Sequence, residues 1–346
     1  MTLYALLILP SANRVYAEAS VELTQAELLA FDRGVLGNKL AEVRQAQVGG
    51  VPYVTFEAGE LTERDVAVLG NLSSVYALFE IVQGDLLRPV ELRRLDRFDD
   101  DLITIQKYQG KTNEQFTKLL LNVTLLASDW AGELLERRFR VLDPLCGRGT
   151  TLNQALMYGF DGAGIDRDQK DFEAYATFIQ TWLKRKRVKH KAEFGPVRRE
   201  RQVVAKRLRI ELAADRDDYK SGATQLLDVV NADTMRSREF FKDSTFDLIV
   251  TDAPYGVQHG SRTAGKGLVR SPEDLLAEAA PIWARLLRPG GAMGIAWNTF
   301  VAKRELAAGL LEEAGLEVVD DEPYRSFRHR VDQAIMRDVL VARKPA

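Results

Sequence analysis

The segment Asp252-Ala253-Pro254-Tyr255 follows an apolar run, residues 246–251, that reads as a strand, so the acid stands at a strand end where the chain turns. Proline fixes φ and has no amide hydrogen, which leaves the Ala253 carbonyl facing outward as a pure acceptor. An Asp252 oxygen and that carbonyl make two acceptors for one exocyclic NH2, and Tyr255 offers a flat face on which a base stacks. An aromatic amine is a weak nucleophile because its lone pair is conjugated into the ring. Holding both hydrogens turns that lone pair outward, and Asp252 takes or polarises the departing proton. His259, in the same loop, has no partner in view and reads as a surface residue.

A second loop lies about a hundred residues upstream. Residues 141–150 read Val-Leu-Asp-Pro-Leu-Cys-Gly-Arg-Gly-Thr, a strand entering a glycine turn and then a helix, the edge at which α/β proteins hold ligands. Gly147 and Gly149 let backbone approach a ligand closely. A phosphate-binding P-loop needs Lys before its Ser/Thr, and the dinucleotide fingerprint needs a third glycine; both are missing. The remaining fit is S-adenosylmethionine, a cation whose ammonium and sulfonium favour an acid at a strand end. Asp143 meets its amino-acid end, while Pro144, Cys146, Gly147, Gly149 and Thr150 shape the loop. Asp166 ends the next strand about twenty residues on, where an acid accepts ribose hydroxyls, and Asp233 ends a third strand within reach of an adenine amine. Cys146 is in the wrong loop for a nucleophile, and one cysteine with three histidines leaves little for a metal site, so none is expected.

With 346 residues, 46% hydrophobic and 28% charged, the chain reads as an ordinary globular protein of about two domains rather than a disordered or fibrous one. The single cysteine points to a reducing cytoplasm, and no apolar run approaches the ~20 residues that span a bilayer. Residues 5–9 are apolar, but no basic residue precedes them and Pro10 closes the run, so they read as a buried strand rather than an export signal. Charge is uneven. Residues 184–209 hold twelve Lys and Arg against two acids, leaving about −12 on the remainder of a chain whose total is −2. The pattern fits either a phosphate-binding surface or a solvated pair of helices. Arg325, Arg328, His329 and Arg330 form a smaller basic group, open to the same two readings.

The elements that must position these residues fall into two patterns. Residues 3–9, 51–56 and 75–82 read as strands. Thr24 to Glu27 reads as a capping box opening a helix to about 31, and 62–69 as another helix. Together they suggest a small α+β unit of ferredoxin-like type over 1–87, followed by a linker, 88–104. From 105 to 346, strands at 140–143, 162–165, 226–231, 246–251, 292–297, 316–319 and 334–342 alternate with helices at 113–135, 150–158, 168–183, 272–287 and 302–314, the signature of a doubly wound parallel sheet. A basic insert occupies 184–222. Trp297 reads as core.

The stretches DPLCGRGT (143–150), GIDRD (164–168), NADT (231–234) and DAPYGVQHGSR (252–262) resemble motifs of class I methyltransferases acting on exocyclic base amines, most of all the THUMP-associated tRNA guanosine 2-amino methyltransferases. The resemblance covers about 105–346 and implies a Rossmann-like, mostly parallel seven-stranded sheet, S-adenosylmethionine as cofactor and RNA, foremost tRNA, as partner. It also implies that 107–113, Lys-Tyr-Gln-Gly-Lys-Thr-Asn, closes over the methionine end, which adds Thr112 and Asn113 to the expected contacts. Lys111 stands where that family has Pro, Ala253 where it has Pro, Leu or Met, and the front unit is shorter than a complete THUMP module. Other readings are a DNA adenine or cytosine amino-methyltransferase, a small-molecule methyltransferase, and a non-catalytic RNA-binding protein on the same fold.

Overall fold

The computed structural model describes residues 1–11, 13–83, 86–253 and 272–346. The first ninety residues run β1 (Thr2–Ile8), α1 (Arg14–Phe31), β2 (Ala41–Val48), β3 (Val51–Ala58), α2 (Glu63–Leu69), β4 (Val75–Val82) and β5 (Leu86–Val90). Their sheet has the order β2-β3-β1-β4-β5 with every neighbour antiparallel. Gly49 and Gly50, at φ +57° and +80°, make the tight turn of the β2–β3 hairpin. β2 and β5 are strands beyond those the sequence suggested; β2 is mostly polar and half-exposed, so it lacks the apolar alternation that marks a strand.

The start of α1 corrects a sequence expectation. Asn13 caps this helix, its Oδ1 accepting from Val15 N at 3.0 Å and Tyr16 N at 3.2 Å. Thr24 lies in mid-helix with Oγ1 donating to Ser20 O at 2.6 Å. Glu27 turns inward instead of capping, taking Ser73 Oγ at 2.6 Å and Asn122 Nδ2 at 2.7 Å. Asn122 Oδ1 in turn accepts from Tyr158 Oη at 2.8 Å. Thr and Glu three apart imitate a cap wherever one helical face carries both; the capping box of this region is Thr62 with Asp65.

The remainder runs α3 (Asp101–Thr104), α4 (Glu114–Leu126), β6 (Arg140–Asp143), α5 (Thr150–Met157), β7 (Asp161–Asp166), α6 (Gln169–Arg185), β8 (Lys189–Arg199), β9 (Gln202–Ala213), α7 (Arg216–Ser221), β10 (Gln225–Asn231), α8 (Ser237–Phe240), β11 (Phe246–Asp252), α9 (Pro272–Leu286), β12 (Leu287–Asn298), α10 (Arg304–Glu313), β13 (Glu317–Val319), β14 (His329–Arg330) and β15 (Met336–Arg343). The sheet order is β13-β15-β12-β11-β6-β7-β10-β9-β8, with β14 pairing β15. β10, β7, β6, β11 and β12 are parallel, and β15 enters antiparallel beside β12. Among the described residues this sheet has ten strands, not the expected seven. The difference is chiefly the basic insert, which forms the antiparallel hairpin β8–β9 on the β10 edge rather than helices. Leu208, Ile210 and Leu212 are buried at every second position while the residues between them face outward, the period of a half-covered strand.

The largest apolar cluster does not stop between the two sheets: Leu28, Phe31 and Phe56 of the front unit share it with Phe116, Leu120 and Leu248. Residues between β5 and α3 are stitched down as well, Leu95 N reaching Asn71 Oδ1 at 3.0 Å and Arg97 N reaching Met157 O at 2.8 Å. Trp297 is core, its Nε1 donating to Ala302 O at 2.9 Å. Among the described residues no helix is long and apolar enough to cross a membrane.

Candidate active site

Asp143, Asp166 and Asp252 end β6, β7 and β11, and Asp233 follows β10 by two residues, so the four acids share the carboxyl edge of the parallel strands. The loop after β6 is pinned to β7. Cys146 N donates to Ile165 O at 3.0 Å, Gly147 N to Asp166 Oδ2 at 2.8 Å, and Gly149 N to Cys146 O at 2.7 Å. A methyl on Gly164 would stand 2.7 Å from Cys146 Sγ, which is why a glycine precedes the acid strand end. The Cys146 thiol is buried and its pKa is driven well up by that burial, a packing role rather than a reactive one. Pro144 is buried in the same turn.

Gly147 and Gly149 do different work. Gly147 is left-handed at φ +47° with nothing within 4 Å of where a Cβ would sit, so its missing side chain opens onto free space. Gly149, at φ +76°, would drive a Cβ to 2.3 Å from the Tyr175 ring, whose hydroxyl is held by Asn153 Oδ1 at 3.0 Å. Gly149→Ala should therefore cost ~2–4 kcal/mol, read from a denaturant melt. Gly149 also caps α5 without a side chain, so the first-turn amides of that helix point at the cradle with no side-chain acceptor.

Asp143 is fully buried. Its Oδ1 accepts from Leu145 N at 3.1 Å and Thr251 Oγ1 at 2.9 Å, and burial pushes its pKa up to about 7. Burial also raises Asp166, whose Oδ1 accepts from Asp168 N at 2.7 Å. Asp233 is half-buried and caps a short turn through Met235 N at 2.9 Å. Residues before α4 cover this loop: Tyr108 Oη lies 3.2 Å from Thr150 Oγ1, and the Arg148 guanidinium sits 4.7 Å from the Tyr108 ring centre.

Asp252 lies one residue beyond the hydroxyl that binds Asp143. Its Oδ2 accepts from Thr112 Oγ1 at 2.6 Å and from Arg337 Nη2 at 3.1 Å. Arg337 is 4% exposed, reaches in from β15 and stacks 4.3 Å from the Phe116 ring centre. It stands outside the sequence-based set of site residues; its only signal is a basic residue just ahead of the apolar run 339–342. Asn113 is spoken for as the cap of α4, with Oδ1 on Phe116 N at 3.0 Å and Nδ2 on Ser11 Oγ at 2.9 Å. Ala253 N is fixed to Ala296 O at 2.8 Å. Pro254, Tyr255 and His259 lie outside the described residues. His329 is buried against Phe116, with its pKa lowered by burial to about 4, so it adds no charge to the basic group around it.

Residues 128–290 match the family model UPF0020, an RMKL-like methyltransferase domain. The matched methyltransferase segment contains all four strand-end acids and the glycine cradle. No curated protein sequence matches the chain. Among solved structures, the chain is similar to TrmN from Thermus thermophilus, at 13% identity over 99% of this chain and 100% of that one, TM-score 0.45. It is also similar to a TehB-like S-adenosylmethionine-dependent methyltransferase from Corynebacterium glutamicum, at 16% identity over 60% and 81% of the two chains, TM-score 0.33. A third is a Burkholderia thailandensis 1,6-didemethyltoxoflavin-N1-methyltransferase holding S-adenosylhomocysteine, at 17% identity over 61% and 73%, TM-score 0.36. S-adenosylmethionine is the cofactor of the methyltransferase domain. The residues present fit it: Gly147 leaves open space, the uncapped α5 amides suit its carboxylate, and the buried Asp143 carboxyl suits a cation.

Proposed function

We propose that this chain methylates an exocyclic base amine of RNA, a guanosine amine of tRNA first among the candidates. The supporting observation is Asp252, held by Thr112 and Arg337 one residue from the hydroxyl that binds Asp143. When bound, S-adenosylmethionine supplies a methyl group activated by its sulfonium. Asp143 holds the ammonium, Asp166 the ribose hydroxyls and Asp233 the adenine amine, while Pro144, Cys146, Gly147, Gly149 and Thr150 shape the cradle and Thr112 and Asn113 anchor the segment that covers it. Asp252 and the Ala253 carbonyl accept the two amine hydrogens, and the released proton passes to Asp252. Pro254 stiffens that turn, and Tyr255 stacks the base turned out of its helix.

Transfer of labelled methyl to total RNA and, separately, to DNA, with nucleoside analysis, tests the reading. Label in 2-methylguanosine is the expected result; label in DNA adenine or cytosine, or in neither polymer, rejects it. Arg337 is the positioning residue of this scheme. Arg337→Gln should lower kcat by roughly 10²-fold with cofactor affinity nearly unchanged, because a small displacement of Asp252 spoils alignment. Arg337→Lys should restore part of the rate; equal loss in both variants, tracking a lowered melting temperature, would reduce Arg337 to a core residue.

A further inference from the structure

The basic hairpin β8–β9 reaches beyond the sheet that it extends. Asn231, the last residue of β10, pairs with Lys206, which pairs with Pro196, so residues 197–205 run past the ends of the parallel strands. At ~3.3 Å per residue, the four residues 202–205 overhang that edge by roughly 13 Å. This is the edge carrying Asp143, Asp166, Asp233 and Asp252.

The overhang is docked. Arg199 pairs with Glu239 at 3.2 Å and lies 5.8 Å from the Phe240 ring centre, Arg236 donates to Val204 O at 3.3 Å, and Ala205 is buried. Its cations sort by position. Lys206 and Arg207 are already paired, Lys206 at the surface with Glu173 at 2.7 Å and Arg207 with the buried Asp228 at 2.6 Å. Arg198 and Arg201, at the tip, are exposed and have no ion-pair partner among the described residues. The tip therefore holds Arg198, Arg199, Arg201 and Arg236 against Glu200 and Glu239, on a chain whose total charge is −2.

We infer that this tip grips the phosphate backbone of the RNA away from the reacting nucleotide, an inference that rests on the RNA reading of the site. Arginine forks suit phosphate oxygens, and an exposed pair anchored by its neighbours loses little freedom on binding. The order β11-β6-β7-β10-β9 puts four strand spacings, roughly 19 Å at ~4.8 Å each, between the strand of Asp252 and that of the arm. The arm thus meets flanking backbone, not the target base, and acts on RNA capture rather than on the methyl-transfer step.

The test uses the full-length chain with Arg198→Glu/Arg201→Glu and Arg198→Lys/Arg201→Lys. Methyl transfer to tRNA and to a guanosine-containing trinucleotide is followed over a salt series, with S-adenosylmethionine binding measured by calorimetry. For the Glu variant, KM for tRNA should rise ~10–100-fold and the slope of log affinity against log salt should shrink by about 1.5, since two phosphate contacts are lost. Its kcat, its cofactor affinity and its rate on the trinucleotide should match wild type, and the Lys variant should behave nearly as wild type. An unchanged KM and salt slope in a wild type-like active Glu variant overturns the arm alone. A wild-type chain that transfers no methyl to RNA overturns the RNA reading and the arm with it.

Discussion

Asp252→Ala is expected to reduce methyl transfer by ~10²–10⁴-fold while S-adenosylmethionine binds within about twofold of wild type, because the variant removes the group proposed to accept the amine proton and leaves the cradle's backbone bonds intact. The separation follows from geometry. Asp252 is held through the side chains of Thr112 and Arg337, whereas the cradle is fixed to β7 by its own backbone amides, Cys146 N on Ile165 O and Gly147 N on Asp166 Oδ2. Asp252→Asn refines the result. It keeps an oxygen acceptor but loses the charge that Arg337 pairs with at 3.1 Å, so it too should fall well below wild type. Single-turnover transfer alongside calorimetry reads both quantities, and a turnover that survives in Asp252→Ala would remove Asp252 from the chemistry.

Asp143→Asn should weaken S-adenosylmethionine binding by ~10–100-fold and, in the cofactor-free protein, raise stability at pH 8. Burial pushes this carboxyl up to about 7 from an ordinary value of 3.8, so the fold prefers it neutral. Its stabilising contribution is complete below about pH 4 and is lost as pH rises through about 7, amounting to a few kcal/mol at most. Melting temperature of the cofactor-free wild type should fall across that window, and the Asn variant should lose that fall. Cofactor affinity should run the opposite way. An ammonium ligand needs the ionised carboxyl, so affinity rises up to ~10-fold per pH unit below about 7 and levels off above it. Affinity that is flat between pH 5 and 8 would move the ammonium away from Asp143.

Much of the site could be read from residue order because its parts are local. A strand, a glycine turn and a helix stand consecutively at 140–157, and each later acid ends its own apolar run, so Asp143, Asp166 and Asp252 were legible without tertiary information. Arg337 was not, since its meaning comes from β15 entering antiparallel beside β12, a pairing that no nearby residue announces. The hairpin was hidden for another reason. Its charges crowd a short segment and mask the period-two burial of Leu208, Ile210 and Leu212, and only the α6 face they cover makes that period visible. Thr24 and Glu27 misled because a cap and an inward-facing polar pair share one spacing, and burial alone tells them apart.

The Glu27 contact sets a limit on how such a protein can be rearranged by recombination. Its carboxylate, on the first helix, is answered by Asn122, 95 positions later, and Asn122 also holds Tyr158. A gene lacking the first ninety codons would express a methyltransferase half in which the Asn122 amide has lost both Glu27 and the Asn71 carbonyl and α4 shows a bare apolar stripe, prone to clump rather than fold. The front unit is thus not a detachable cassette. A lineage, or an engineer, seeking another substrate would change the loops at the rim and leave the front unit in place.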